Sequence, residues 1–360
     1  MFHTIQQRTG IAIVVALLAT ALAPLPAQAT PGLYGAQDAQ YDGVYRQSLI
    51  IAGLKANKST VPSAATQWLA AQQCADGGFQ ALRTGNACAA PDPVNYVGED
   101  TNSTAAAAIA LVSVGDNKRA SKAISYLRST VNADGGIPYY KGGSSDVNST
   151  AMAMLAFRAN GVTPASVHRG DYTLVDFLIT AAVGCEGSAS ARGGLGYMPS
   201  KPNVVSDMAT AQALAALASK LPWQQKTVLT ARSLVTPSVR CPGSLSDDEA
   251  SLRDYVSGYL ARALASHQGL IPNAFGEGSD ITSTAWAVIG LAGADRGVAQ
   301  ARAATAAIRS QVATYIKDET GAVVAGRIGM LLLLAAARGE SAKSFGGVNL
   351  VAAANSALGT

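Results

Sequence analysis

The stretch Asp146-Val147-Asn148-Ser149-Thr150-Ala151-Met152-Ala153-Met154-Leu155-Ala156-Phe157 decides the fold. It opens on acidic and amide residues suited to capping the free N–H groups of a helix start. It then runs into small and apolar residues on every side. A helix without a polar face must be enclosed all round. Asp134-Gly135-Gly136 precedes it, a turn in which glycine takes a left-handed conformation without steric penalty. The whole phrase recurs. Asp76-Gly77-Gly78-Phe79-Gln80 precedes Asp100-Thr101-Asn102-Ser103-Thr104-Ala105. Gly193-Gly194-Leu195-Gly196-Tyr197 precedes Ser206-Asp207-Met208-Ala209-Thr210-Ala211. Gly269-Leu270-Ile271-Pro272 precedes Asp280-Ile281-Thr282-Ser283-Thr284-Ala285. Such recurrence marks an array of like units, none able to bury its apolar face alone.

Each unit reads as two helices. Ala120, Ala123, Ile124, Leu127 and Val131 follow the three-to-four spacing of one buried stripe, with Lys118, Lys122 and Arg128 off it. This amphipathic helix suits an outer layer, and the alanine-rich helix suits an inner one. Inner helices are predicted near 45–55, 103–114, 149–160, 207–219, 282–294 and 322–338. Outer helices are predicted near 62–73, 118–131, 171–182, 247–266, 298–315 and 348–358. About six of each close a ring, an all-α, α6/α6 arrangement. The stretch 222–239 reads as an extra helix or loop.

Arg8, the apolar run 11–23 and Ala27-Gln28-Ala29 form the pattern of a secretory signal peptide over 1–29, with cleavage after Ala29. A short linker is expected over 30–40 and a single domain over 41–360. The product is expected outside the cell, with no stable membrane anchor after processing. The formal charge of +4 is small and no Lys/Arg cluster occurs, which argues against a nucleic-acid partner. Charged residues make up 14% of the chain and hydrophobic residues 49%, enough for a large core. Cys74, Cys88, Cys185 and Cys241 allow three pairings. Cys74–Cys88 and Cys185–Cys241 are the expected ones, because each brackets one segment between helices. No metal-ligand spacing is present, so no metal site is expected.

The Gly-Gly turns with aromatic or Gln neighbours and the Asp-x-Asn-Ser-Thr-Ala helix starts resemble the α/α-toroid superfamily. That group includes prenyltransferase β-subunits, class II terpene cyclases, complement-type thioester domains and the amino-terminal domain of cobalamin carriers. The 146–157 stretch looks most like the cobalamin-carrier repeat. Phe345-Gly346-Gly347-Val348-Asn349-Leu350-Val351 is similar to the end of secreted bacterial members. The resemblance covers about residues 40–358 and implies the toroid fold. The catalytic signatures of these groups are missing: no Asp-x-Asp-Asp, no Asp/Cys/His zinc set, and Gly184-Cys185-Glu186-Gly187 lacks the Gln of a thioester. His168 and His267 stand alone, as surface or loop residues. An enzyme is therefore not favoured, and no cofactor is expected.

A ring of this kind gathers the inner-helix starts at one mouth. Candidate ligand-binding residues there are Asp100, Asn102, Asp146, Asn148, Asp207 and Asp280, with Tyr96, Tyr139, Tyr140 and Tyr197 near the turns. Phe79, Phe275 and Trp286 are further aromatics. The same acids and amides serve equally as helix caps. Glu99 is the one acid that precedes a cap position instead of occupying it, and it is the sole catalytic candidate. The expected function is a secreted, non-catalytic module that binds an apolar or carbohydrate-like ligand at the mouth. Its partner is an unknown small molecule or a cell-surface component. The alternatives are a divergent cyclase-like or polysaccharide-cleaving enzyme, and a structural accessory protein with a filled ring.

Overall fold

The computed structural model describes residues 30–359 apart from 86, 200–203, 225–248 and 275. The expected signal peptide and Cys241, the expected partner of Cys185, lie outside the described residues, as does Phe275.

Six helices form the inner layer: α1 (Ala39–Ala56), α3 (Thr101–Ser113), α5 (Val147–Ala159), α7 (Asp207–Ala216), α9 (Ile281–Ala294) and α12 (Ala325–Arg338). Each packs on the next, and α12 returns to α1, which closes the ring. Glycine lets the closing pair approach. A Cβ on Gly53 would lie 2.6 Å from Leu332 Cβ, and one on Gly329 would lie 2.7 Å from Leu49 Cβ. Gly326 meets Arg46 in the same seam, so the two helices run parallel. Gly290 plays this part between α9 and α7, where a Cβ would come within 2.9 Å of Leu214 Cβ.

The outer layer comprises α2 (Ser63–Ala71), α4 (Asn117–Ser129), α6 (Leu174–Thr180), α8 (Glu249–Ser266), α10 (Val298–Arg309), α11 (Val312–Tyr315) and α13 (Leu350–Ser356). The buried face of α4 is Ala120, Ala123, Ile124, Tyr126 and Leu127, the apolar stripe with Tyr126 added. Two departures are physical. The outer helix expected over 298–315 is two helices, broken at Ser310–Gln311. The segment expected as a linker over 30–40 is packed: Leu33 and Tyr34 are buried, and Tyr34 pairs with Leu358 in an isolated bridge. Buried Arg46 on α1 holds this segment by donating to the carbonyls of Tyr34 (2.8 Å) and Gln37 (2.7 Å) and pairing with Asp42. Only β1 (His168–Arg169) and β2 (Tyr172–Thr173) pair as strands among the described residues.

Among the described residues the ring centre is closely packed. The void among Ser48, Ala52, Ile109, Met152, Trp223 and Trp286 has a volume of about 10 Å³. Trp223, on a 3₁₀ turn at Pro222–Gln224, meets Trp286 of α9 edge to face at 6.4 Å. Cys74 and Cys88 are joined as expected, and Cys185 is also disulfide-bonded. No helix among the described residues is long and apolar enough to cross a membrane.

Candidate functional site

The repeated phrase is first a fastening. In four units one threonine, Thr104, Thr150, Thr210 or Thr284, makes the same two bonds. Its Oγ1 accepts from the backbone N–H just after the glycine turn, at Phe79, Ile137, Leu195 or Ile271, each at 2.9 Å. The same hydroxyl donates to the carbonyl of the cap residue, Asp100, Asp146, Ser206 or Asp280, at 2.6–2.8 Å. The cap side chain then accepts from the N–H three residues on, as Asp100 does from Ser103 at 2.6 Å and Asp146 from Ser149 at 2.7 Å. Each glycine turn is thereby tied to the start of its inner helix.

Beyond capping, the starts of α3 and α5 carry a cluster. Tyr139 and Tyr140 meet edge to face at 4.6 Å, and Tyr140 meets Tyr96 at 6.2 Å. Tyr197 lies beside Asp146 and Tyr96; burial and then the Asp146 carboxylate push its phenol up to about 12. Tyr139 is raised as well, by burial and then by Asp100. Burial lifts the carboxyls of Asp100 and Asp146 to about 6 each, although the N–H groups of Ser103 and Ser149 pull them down. Neither acid has a basic ion-pair partner among the described residues. Backbone bonds from Thr101 N–H to Tyr139 and from Val147 N–H to Tyr197, at 2.9 and 3.0 Å, hold these aromatics over the helix starts.

An amide chain runs beside them. Asn102 Nδ2 donates to Asn148 Oδ1 at 2.8 Å, and Asn148 Nδ2 donates to Gln212 Oε1, linking α3, α5 and α7. Asn102 Oδ1 is buried and has no hydrogen-bond partner among the described residues. Six of the predicted residues thus converge: Asp100, Asp146, Tyr96, Tyr139, Tyr140 and Tyr197. Asn102 and Asn148 adjoin them. The other two serve elsewhere: Asp207 accepts from Tyr259 Oη at 2.6 Å, and Asp280 caps α9 and bonds Ser283. Phe79 and Trp286 are core residues, and His168 and His267 are exposed.

Glu99 is buried, with its carboxylate within 4.8 Å of both sulfurs of the Cys74–Cys88 disulfide. Sulfurs in a disulfide are not thiolate ligands, so these three residues make no metal site as they stand. Burial, then the charge of Asp76 and a hydrogen bond to it, raise Glu99 to about 7; Lys141 pulls the other way. The next unit explains the position. Ser145, its equivalent, donates from Oγ to Asp134 Oδ1 at 2.8 Å. Glu99 faces Asp76 in that place, and a carboxyl can donate there only while protonated. Sequence reasoning missed Asp76 as a partner because it read as a turn residue, and missed Gln212 because it sits inside an alanine run. The repeat register Asp76/Asp134 and Glu99/Ser145 was the available signal for the first.

No protein-family model and no curated protein matches the chain. Solved structures do. A protein from Actinoplanes aligns with a TM-score of 0.52 at 16% identity, covering 87% of this chain and 94% of that one. An apo variant of the type II terpene cyclase MstE from Scytonema aligns at 0.52 and 14% identity, over 86% and 93%. A Candida albicans protein geranylgeranyltransferase-I complexed with GGPP aligns at 0.51 and 12% identity, over 88% and 89%. At such identities the likeness concerns the fold alone. The chain is an α/α toroid of the architecture shared by terpene cyclases and protein prenyltransferases.

Proposed function

We propose that this chain is an exported toroid module that binds a carbohydrate-like ligand at the mouth without turning it over. The observation that carries the reading is the convergence of four tyrosines on two carboxyls and a chain of amides at the starts of α3 and α5. Aromatic faces cover the C–H face of a sugar ring, while carboxylates, phenols and amides exchange hydrogen bonds with its hydroxyls. Tyr96 and Tyr197 are exposed and free to meet such a ligand. The apolar alternative is less well served. A long hydrocarbon needs a deep channel, and the centre of this ring holds a void of only about 10 Å³. Export is supported by the leader pattern and by the Cys74–Cys88 disulfide, which suits an oxidising compartment.

A glycan array probed with residues 30–360 tests the reading. Retention of an oligosaccharide class is expected, with a roughly tenfold or greater loss for Tyr197→Ala, about 1.4 kcal/mol. Equal retention of wild type and variant removes the site.

The polysaccharide-cleaving alternative is favoured by Glu99, a buried carboxyl beside this cluster that burial and then the charge of Asp76 raise to about 7. A carboxyl kept protonated near neutrality can serve as a general acid. Reducing-end release from a retained glycan, abolished by Glu99→Gln, would favour that version over simple binding.

A further inference from the structure

At the end of the ring opposite the mouth, α1, α3, α5, α9 and α12 close in the same way. A residue in left-handed backbone follows each helix: Lys58, Gly115, Gly161, Asp295 or Gly339. Its N–H donates to the carbonyl three residues back, at 3.0–3.3 Å, and the next N–H donates to the carbonyl five back, at 2.9–3.1 Å. Glycine takes this backbone without steric penalty, and three of the five positions carry it. Aspartate tolerates it through a short polar side chain. Lys58 has neither allowance, and its φ of 55 is a strain that glycine would remove. What the lysine supplies in return is charge at a cavity. That cavity, of about 1050 Å³, lies between the ends of α1 and α3 and the starts of α2 and α4. Lys55, Lys58 and Arg119 stand in its wall, with the hydroxyls of Thr60 and Ser63. Asp116 is there too, but it caps α4 and pairs with Arg119 at 2.8 Å. Among the described residues neither lysine has an ion-pair partner. Lys55 has a local role, since it sits in the last turn of α1 and offsets the negative helix end. Lys58 lies past the helix, where glycine would serve the turn better.

We propose that this cavity is a second binding site, at the far end of the ring from the mouth, and that it takes a phosphate-bearing ligand. Two unpaired ammonium groups are point charges suited to phosphate oxygens. The hydroxyls of Thr60 and Ser63 donate to the same oxygens. Ser63 also opens α2, whose cap residue Pro62 makes no side-chain bond to the first N–H groups. Those donors add to the attraction for an anion without being needed to define it. A neutral sugar would leave both lysines unpaired, and a cation would be repelled. Two lysines beside Arg119 suit a doubly charged phosphate monoester, or successive phosphates along a chain. The volume exceeds what one phosphate group fills, so the ligand carries a polyol or similar body behind its charge. Two carriers have this chemistry, a small phosphate monoester and a phosphodiester polymer. The site shares no residue with the tyrosine cluster and does not depend on it.

Isothermal titration at low salt, with glycerol phosphate and with an oligomer of glycerol phosphate, tests the site. Saturable binding is expected, weakened by added salt. Equal affinity per phosphate for the two probes identifies a small monoester as sufficient. Tighter binding of the oligomer identifies the polymer. Lys58→Gly is the decisive variant, because it restores the residue that the equivalent turns carry. Its thermal midpoint should hold or rise, while affinity for the better probe falls roughly tenfold or more. Lys55→Gln should weaken binding as well. Absence of binding to both probes overturns the proposal, as does unchanged affinity in Lys58→Gly. Retention of oligosaccharides on the glycan array should be the same for wild type and Lys58→Gly, so failure here and failure of the mouth reading are told apart.

Discussion

Thr150 shows what a single side chain contributes. Its hydroxyl is buried, accepts from Ile137 N–H and donates to the Asp146 carbonyl. Thr150→Val preserves shape and strands the Ile137 N–H, while the Asp146 carbonyl keeps its bond from the residue-150 N–H at 3.0 Å, so a loss of about 1–3 kcal/mol is expected in denaturant unfolding. A similar loss from Thr210→Val would show that the fastening acts alike in each unit. Capping was legible from Asp-x-x-Ser spacing alone, since a cap is a local relation. The threonine bond was not, because its partner lies on the far side of a turn whose length varies between units. The same limit hid the Glu99–Asp76 pair: both residues were in view, but their meeting depends on how the turn folds back.

At the scale of elements, the close seams decide whether the ring shuts. Gly329 stands against Leu49 and Ile50 with no room for a side chain. Gly329→Leu should separate α12 from α1 and cost about 1–3 kcal/mol or more, read as a lowered thermal midpoint. Leu at Gly115, where an added Cβ meets nothing within 4 Å, is a control for bulk but not for its φ of +88; exposed Ala303 on α10 is the cleaner control site. The inner helices were readable because an all-apolar face pattern admits one solution, enclosure. Their starts were less so. α1 begins at Ala39 instead of near Tyr45, because Asp38 caps it and Arg46 ties residues 34–37 onto its first turns. A buried arginine that binds carbonyls of a neighbouring segment leaves no periodic trace.

Over the whole molecule, charge and packing act together. Glu99, Asp100 and Asp146 all have folded carboxyls raised above their ordinary values, to about 7, 6 and 6. The folded state therefore holds protons that the unfolded chain has released. The stability these groups supply is complete below about pH 4, and it is lost as pH rises through about 6 for the two aspartates and about 7 for Glu99. The thermal midpoint is expected to fall across that window, and the fall should be smaller in Glu99→Gln. A midpoint rising from pH 5 to pH 8 in the wild type but not in that variant would reverse the assigned sign. The filled centre is the second whole-molecule feature. Trp286→Ala should cost about 3–5 kcal/mol, because the surrounding helices cannot collapse onto the space left.

Ring closure followed from the count of repeats, whereas the filled centre did not. Trp223 belongs to a segment outside the repeat, and only the fold brings it beneath Trp286. The central claim is that ligand meets the mouth and not the centre, and methionine methyl NMR tests it most directly. Met198 and Met208 are exposed near the rim, whereas Met152 lines the central void. Titration with an oligosaccharide retained on the array should shift the Met198 and Met208 methyls and leave Met152 in place. A shift at Met152 with the rim methyls unmoved would put the ligand inside the ring and contradict the account.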